Sequence, residues 1–384
     1  MTTLPASDVP PALASAIQVT PNLADLDAAI ASLSAAGGGD IHIPAGTLTG
    51  STVTLRSNVY LKGRGRGVTT LKLANGVNAD LLMGQDAYSY FGTTNNLGIS
   101  NFGLEDLTLD GNRANNSNGS CVALYGYKFF FKRVEVLNSP LFGIRTDGGQ
   151  IVPRAMESHW DDILIDTTGN HGIFANGPHD SMLNNVVVID AGQLGDNGYY
   201  GIYFGPTMNA RCSALHTWHT SNVANRVYAG FVDEGGSSDI VNSHFEGART
   251  VNAVFHGTGT QTSNCRFYAS YGPDTVAIRA PEVRLHGYVS GGVAGPGNGN
   301  RGVILGYAPS DNVSFCDIDV YVHQCAAGAV AFNNSQGNND VRVRGYADGA
   351  GSYGFVGTPI SGSDFGYVRI NGAQNNRLWT AAPQ

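Results

Sequence analysis

Gly143-Ile144-Arg145-Thr146-Asp147, Gly172-Ile173-Phe174-Ala175, Gly201-Ile202-Tyr203-Phe204 and Gly230-Phe231-Val232-Asp233 are one phrase written four times, at intervals of 29 residues. It continues as Ala253-Val254, Val276-Ala277, Gly302-Val303, Gly328-Ala329 and Gly354-Phe355, with steps of 23, 23, 26, 26 and 26 residues. A period of this size means one supersecondary unit stacked on copies of itself. Stacking matters for chemistry because it brings residues far apart in sequence to about 4.8 Å spacing across a parallel sheet.

A second class of short strand interleaves with the phrase: Leu107-Thr108-Leu109-Asp110, Ile163-Leu164-Ile165-Asp166, Val186-Val187-Val188-Ile189-Asp190, Val283-Arg284-Leu285 and Val341-Arg342-Val343. Asn, Asp and Gly mark the corners, and no helix intervenes. The pattern predicts an all-β chain, a right-handed parallel β-helix solenoid of about 11–12 coils. Ahead of it, Asn22 reads as a helix N-cap with Asp25 three residues later, and Leu23, Leu26, Ile30 and Leu33 form one apolar stripe ending at Gly37-Gly38-Gly39. Such a helix predicts a cap over the open end of the first coil. The expected organisation is an N-terminal extension and capping helix over 1–39 and one β-helix domain over 40–384.

Hydrophobic residues make up 42% and charged residues 14%, with 52 Gly, which excludes a charge-rich disordered chain. Only Lys62, Lys72, Lys128 and Lys132 are lysines and the net charge is −8, so nucleic acid is not an expected partner. No run of apolar residues is long enough to span a membrane. Met1-Thr2-Thr3-Leu4-Pro5 lacks the basic, apolar start of a secretory signal, so synthesis in the cytoplasm is expected. The five cysteines show no CxxC spacing and predict buried free thiols; no metal site and no cofactor are expected.

The segment Ala35-Ala36-Gly37-Gly38-Gly39-Asp40-Ile41-His42-Ile43-Pro44-Ala45-Gly46, followed by Asn58-Val59-Tyr60-Leu61-Lys62-Gly63-Arg64-Gly65, resembles the opening of the pectate-lyase-like superfamily. Leu107-Thr108-Leu109-Asp110-Gly111-Asn112-Arg113 resembles a phrase of mannuronan C5-epimerase catalytic modules. The resemblance implies a parallel β-helix and a polysaccharide or oligosaccharide as substrate or ligand. It spans lyases, hydrolases, epimerases and phage tail spikes, so it also implies a virion or tail component, or non-classical export, as settings. The epimerase catalytic phrase Tyr-Gly-Phe-Asp-Pro-His falls on Phe142-Gly143-Ile144-Arg145-Thr146-Asp147, with His171 one coil later. None of its ionisable types is kept in place, so its chemistry does not transfer.

Two clusters of ionisable residues are candidate catalytic sites. The first takes Arg145 and Asp147 from one strand, His171 from the next coil and Tyr200 from the one after. Arginine neutralises a sugar carboxylate and acidifies C5, while His, Tyr or Asp moves the proton, as β-elimination of a uronic acid requires. The second takes Asp233 or Glu234, His256 and Arg279, an acid–imidazole–guanidinium ladder. Hydrolysis instead needs two carboxylates roughly 5–10 Å apart, which would require a loop acid such as Asp161 or Asp196. Superposing the phrases puts Arg145 and Asp147 on one parity and His256 and Arg279 on the other. Each cluster also has a plainer reading, as an ordinary surface ion pair or a structural polar stack. Tyr203, Tyr228 and Trp218 are candidate sugar-stacking platforms. Both positions after the Gly are often apolar, which predicts an outward apolar stripe. Corner loops or neighbouring subunits must cover it, and a homotrimer is the favoured homo-oligomer.

Overall fold

Asn22 caps the helix Leu23–Ala35: its side-chain oxygen accepts the Asp25 N–H at 2.7 Å, and its amide donates to the Asp25 carboxylate at 2.7 Å. Leu23, Leu26, Ile30 and Leu33 are the buried face, as the stripe predicts. Gly38 ends the helix with its N–H on Leu33 O, at φ 108, where a Cβ would meet Asn58 O at 2.3 Å. Replacing Asn22 by Ala removes the cap and is expected to lower stability by about 1 kcal/mol, read as a lower denaturant midpoint.

The computed structural model describes residues 17–18, 22–93, 97–148, 156–220, 223–291, 301–308, 310–325, 327–332, 341–348, 355–356 and 368–371. Most of the predicted extended lead-in, and Gly354 of the last phrase, lie outside these residues. The chain forms a right-handed parallel β-helix in two compact units, Met1–Gly169 with Gly177–His179, and Asn170–Asn176 with Asp180–Gln384.

In the first unit, Ile17–Gln18 starts a parallel ladder that runs through Gly39–His42 and Val59–Lys62 to Ile99–Asp110, Val122–Ser139 and Ser158–Thr168. A second ladder joins Val53–Leu55, Leu82–Gly84, the start of Val122–Ser139 and Ile144–Asp147. The long strands bend at stacked positions: Asp106, Arg133 and Asp162 take φ 57, 49 and 59, and Asn101 with Lys128, and Asn138 with Thr167, are left-handed as well. At each bend a single left-handed residue turns the strand without breaking the pairing on either side. Inside, Phe102, Phe129, Phe131 and Trp160 are buried in a column with successive ring centroids 5.0–5.1 Å apart.

In the second unit the phrase strands Ile173–Asn176, Tyr200–Phe204, Ala229–Asp233, Val251–Phe255, Asp274–Ile278, Arg301–Leu305 and Gly328–Phe332 form one parallel ladder. The other face is built by Ser181–Ile189, Ala210–Trp218 and their successors, again bent at stacked left-handed residues, here Asn185, Ala214, Asn242 and Asn264. Asn264 donates its amide to Asn242 at 2.8 Å, so the Asn corners also bond along the stack. Phe231, Phe245 and Phe267 stack in the interior at 5.0 and 5.7 Å.

The register corrects the superposition of phrases. Phe231 pairs with Ala253, not Val254, and Ala253 with Val276. The position held by Gly201 and Gly230 therefore falls on Asn252 and Thr275, both with 0% exposure. Asn252 fits because its amide donates to Tyr268 O at 2.7 Å and its oxygen accepts the Ala248 N–H. Aligning on the small residue Ala253 slips the register by one, and a one-residue slip exchanges the two faces of a strand. With the register set, Glu234, His256 and Arg279 stand four residues beyond the Gly-equivalent position. Asp147 stands at that position after Gly143, so the expected parity conflict between the two clusters disappears.

All five cysteines are buried free thiols. The predicted outward stripe exists as Val232, Val254, Ala277, Ile304 and Ala331, but these are buried, with Tyr200, Tyr203, Tyr228 and Tyr307 packed against the cluster.

Candidate active site

The ladder of the second unit gathers Glu234, His256 and Arg279 from three successive coils into one open depression walled by Tyr200, Tyr228 and Tyr307 and floored by Val232, Val254 and Ala277. The apolar floor explains why the polar groups converge above it. A short outward Val or Ala leaves room that the flanking tyrosines fill from the sides.

The polar groups hold one another. The Tyr203 hydroxyl donates to Glu234 Oε2 at 2.6 Å, and His256 Nδ1 lies 3.9 Å from Glu234 Oε1. Arg279 makes a two-pronged pair with Asp311, Nε to Oδ2 at 3.0 Å and Nη2 to Oδ1 at 3.2 Å. Asp311 also accepts the Tyr307 and Ala308 N–H groups, at 2.7 and 2.8 Å. Burial alone would raise the Asp311 carboxyl, but Arg279 and those two N–H groups outweigh it and hold it below its usual range. The phenols shift the other way. Burial, then the Glu234 carboxylate, raises Tyr203; burial and Glu234 raise Tyr200; burial and a hydrogen bond with Tyr307 raise Tyr228. All three are therefore protonated donors at neutral pH.

Asp233 takes no part in the depression. It is completely buried, and accepts Thr260 Oγ1 at 2.6 Å and the Gly235 and Gly236 N–H groups at 3.1 Å each. Of the paired candidates Asp233 and Glu234, only Glu234 lines the site. The residues of the first expected cluster are divided in membership between the units. Arg145 and Asp147 belong to the first. There the Arg145 guanidinium lies 4.0 Å over the Phe91 ring, and Asp147, 7% exposed, accepts the Gly148 and Gly92 N–H groups. His171 and Tyr200 belong to the second unit. His171 stacks on Tyr200 at 4.9 Å, and its Nδ1 accepts the Tyr200 N–H at 2.8 Å. Burial lowers its pKa to about 4. A base that weak suits anchoring Tyr200 better than moving protons. Tyr203 and Tyr228 flank the depression, whereas Trp218 lies on the other ladder, stacked on His216 at 6.3 Å.

Sequence reasoning missed Tyr307 and Asp311. Tyr307 follows the strand Arg301–Leu305, and Asp311 reaches Arg279 from the loop beyond it. Neither sits on the repeating phrase, so periodicity carries no signal for them.

The comparisons with known proteins agree with this architecture. The chain is 28% identical over 259 residues to a capsule K8-specific depolymerase of Klebsiella phage K5-4, covering 63% of this chain and 33% of the relative. It is 45% identical over 98 residues to mannuronan C5-epimerase AlgE6 of Azotobacter vinelandii, 23% of this chain and 10% of the relative. It thus spans a third or less of the length of these relatives. Among solved structures, the AlgE4 A-module of Azotobacter vinelandii superposes with a TM-score of 0.73 at 18% identity, over 91% of this chain and 98% of that one. The tailspike of E. coli bacteriophage HK620, in complex with a pentasaccharide, gives 0.56 at 14% identity, over 92% and 63%. At such identities the likeness is one of fold. The sequence model of the family described as rhamnogalacturonase A/epimerase, pectate lyase-like, matches residues 6–204, just over half of the chain, and the chain belongs to that family.

Proposed function

We propose that the chain acts on an acidic polysaccharide by lyase-type proton transfer at the Glu234–His256–Arg279 depression. The observation that carries this reading is the convergence of an imidazole, a guanidinium and protonated phenols in one open site. Arg279, held in place by Asp311, faces the uronate carboxylate and stabilises the negative charge that builds as C5 loses its proton. His256 takes that proton, and a phenol, Tyr200 or Tyr228, donates one to the departing oxygen. Glu234 orients Tyr203 and the imidazole.

Hydrolysis is less well supported. Among the described residues, Glu234 is the single carboxylate lining the depression. Neither loop acid that could have supplied a second one, Asp161 or Asp196, is among the lining residues, and Asp196 is bound to Arg249 at 2.8 Å.

The match to a phage capsule depolymerase supports a virion-borne setting, with a bacterial surface glycan as substrate. A homotrimer is the assembly proposed for it. Since the apolar stripe is buried within the chain, subunit contacts must use another surface. Sedimentation at the trimer mass supports this setting, and a monomer counts against it.

The test is incubation with a panel of uronate-containing capsular glycans. The expected result is chain shortening with growth of the ultraviolet absorbance of unsaturated uronates. Shortening without that absorbance points to hydrolysis, and binding without shortening points to a glycan-gripping spike; either outcome sinks the lyase reading.

A further inference from the structure

Away from the depression, on the other ladder of the second unit, His216 and His244 occupy paired positions on neighbouring coils. Their imidazoles stack 4.9 Å apart and within 2° of parallel. Glu246 follows His244 by two residues and so projects from the same side of its strand. Its carboxylate bridges the pair, Oε1 lying 3.3 Å from His216 Nε2 and Oε2 3.6 Å from His244 Nε2. We propose that His216, His244 and Glu246 form a binding site for a divalent transition ion of the Zn2+ class.

The geometry is close to what such an ion needs. One donor atom from each residue lies within 4.8 Å of the other two. Tetrahedral ligation at about 2.0–2.2 Å sets donor spacings of roughly 3.3 Å, which each imidazole already approaches with its own Glu246 oxygen. Binding requires both rings to turn out of the parallel stack so that the two Nε2 lone pairs aim at one ion. The side chains are 33%, 32% and 25% exposed, so an ion can enter and keep water at its open position. Two imidazoles and one carboxylate suit a borderline transition ion rather than Ca2+, which takes oxygen donors. Metal binding also needs neutral imidazoles. Burial lowers the His244 pKa, and His216 and Arg266 add to that against the pull of Glu246. The five thiols, which would otherwise compete for Zn2+, are all buried.

Arg266, the partner of His244 on the next coil, places a positive charge nearby; its guanidinium lies 5.8 Å from the Tyr288 ring centroid. Its charge opposes cation binding there. An ion held here would pin two coils together through side chains that the fold already aligns. The spacing of these residues along the chain gives no motif, which is why no metal site is expected from sequence.

The test is calorimetric titration of the whole folded chain with ZnCl2, and separately with CaCl2. One Zn2+ per chain is expected, with no comparable Ca2+ binding. His244→Gln and Glu246→Gln should each weaken Zn2+ binding by more than about tenfold. His286→Ala, which removes an exposed imidazole elsewhere on the ladder, should leave it unchanged. Circular dichroism on each variant shows that the fold is retained. The proposal is overturned if the chain does not bind Zn2+, if both glutamine variants bind like the parent, or if Ca2+ binds equally well.

Discussion

Replacing His256 by Ala lowers glycan turnover by about 100- to 10,000-fold, the usual contribution of a positioned proton-transfer group, and leaves the unfolding midpoint nearly unchanged. The imidazole is half-exposed at the lip of the depression, so its removal opens no cavity in the core. Arg279→Ala should do comparable damage, through both substrate affinity and turnover, because it strips the charge that faces the sugar carboxylate. Arg279→Lys should recover little, since an ammonium cannot make the two-pronged contact with Asp311 that fixes the guanidinium. The sharpest comparison is between neighbours. Glu234→Gln is expected to lose activity without losing stability. Asp233→Ala should do the reverse, because it strips the acceptor from Thr260 and from two backbone N–H groups in the interior. Full activity in the His256 and Arg279 variants, measured on a glycan the parent degrades, would remove the depression from consideration. Loss of activity in Arg145→Ala alone would move the chemistry to the first unit.

The comparison of Asp233 with Glu234 also shows how far sequence reasoning reaches in a solenoid. The cap and the buried face of the helix Leu23–Ala35 were legible to the residue, because a side-chain cap and a four-residue stripe are local signals. The architecture was legible from the interval between phrases, which depends only on recurrence. The site was half legible. Glu234, His256 and Arg279, which line one depression, were named from the phrase, but the face depended on register, and register turned on whether Ala253 or Asn252 stands for Gly230. Composition favours the small residue. The fold chooses Asn252, because its buried amide finds partners in Ala248 and Tyr268 that lie outside the phrase. Tyr200 stacks on His171 and also lines the depression with Glu234, two sets of neighbours that a linear reading assigns to different clusters. Asp311, which is held on Arg279 from a loop, and the His216–His244–Glu246 group lie beyond any spacing rule, since each is made by coils meeting side by side.

Acidification should destabilise the second unit through two buried imidazoles. Burial holds His171 and His219 neutral, each with its pKa lowered from 6.5 to about 4. For His219, Arg226 and Arg249 add to that effect, while Ala191 and Asp190 oppose it. The unfolded chain takes up a proton on each imidazole as pH falls below about 6.5, whereas the folded chain resists until about 4, so stability falls across that window. The contribution is intact above 6.5, is lost progressively down to about 4 and changes no further below it. Each group accounts for at most about 3 kcal/mol. Asp233 and Asp274 act in the opposite sense, because burial raises both carboxyls and protonating them at low pH relieves a buried charge. The His contribution is isolated by substitution. His171→Asn keeps an acceptor near the Nδ1 position for the Tyr200 N–H and removes the titrating ring. Its denaturant midpoint should be lower than the parent's at neutral pH but should fall less steeply on acidification. Parallel slopes for the two proteins would mean that His171 is not held neutral by the fold. The stack of His171 on Tyr200, from which the candidate site is built outward, would then be looser than its 4.9 Å separation implies.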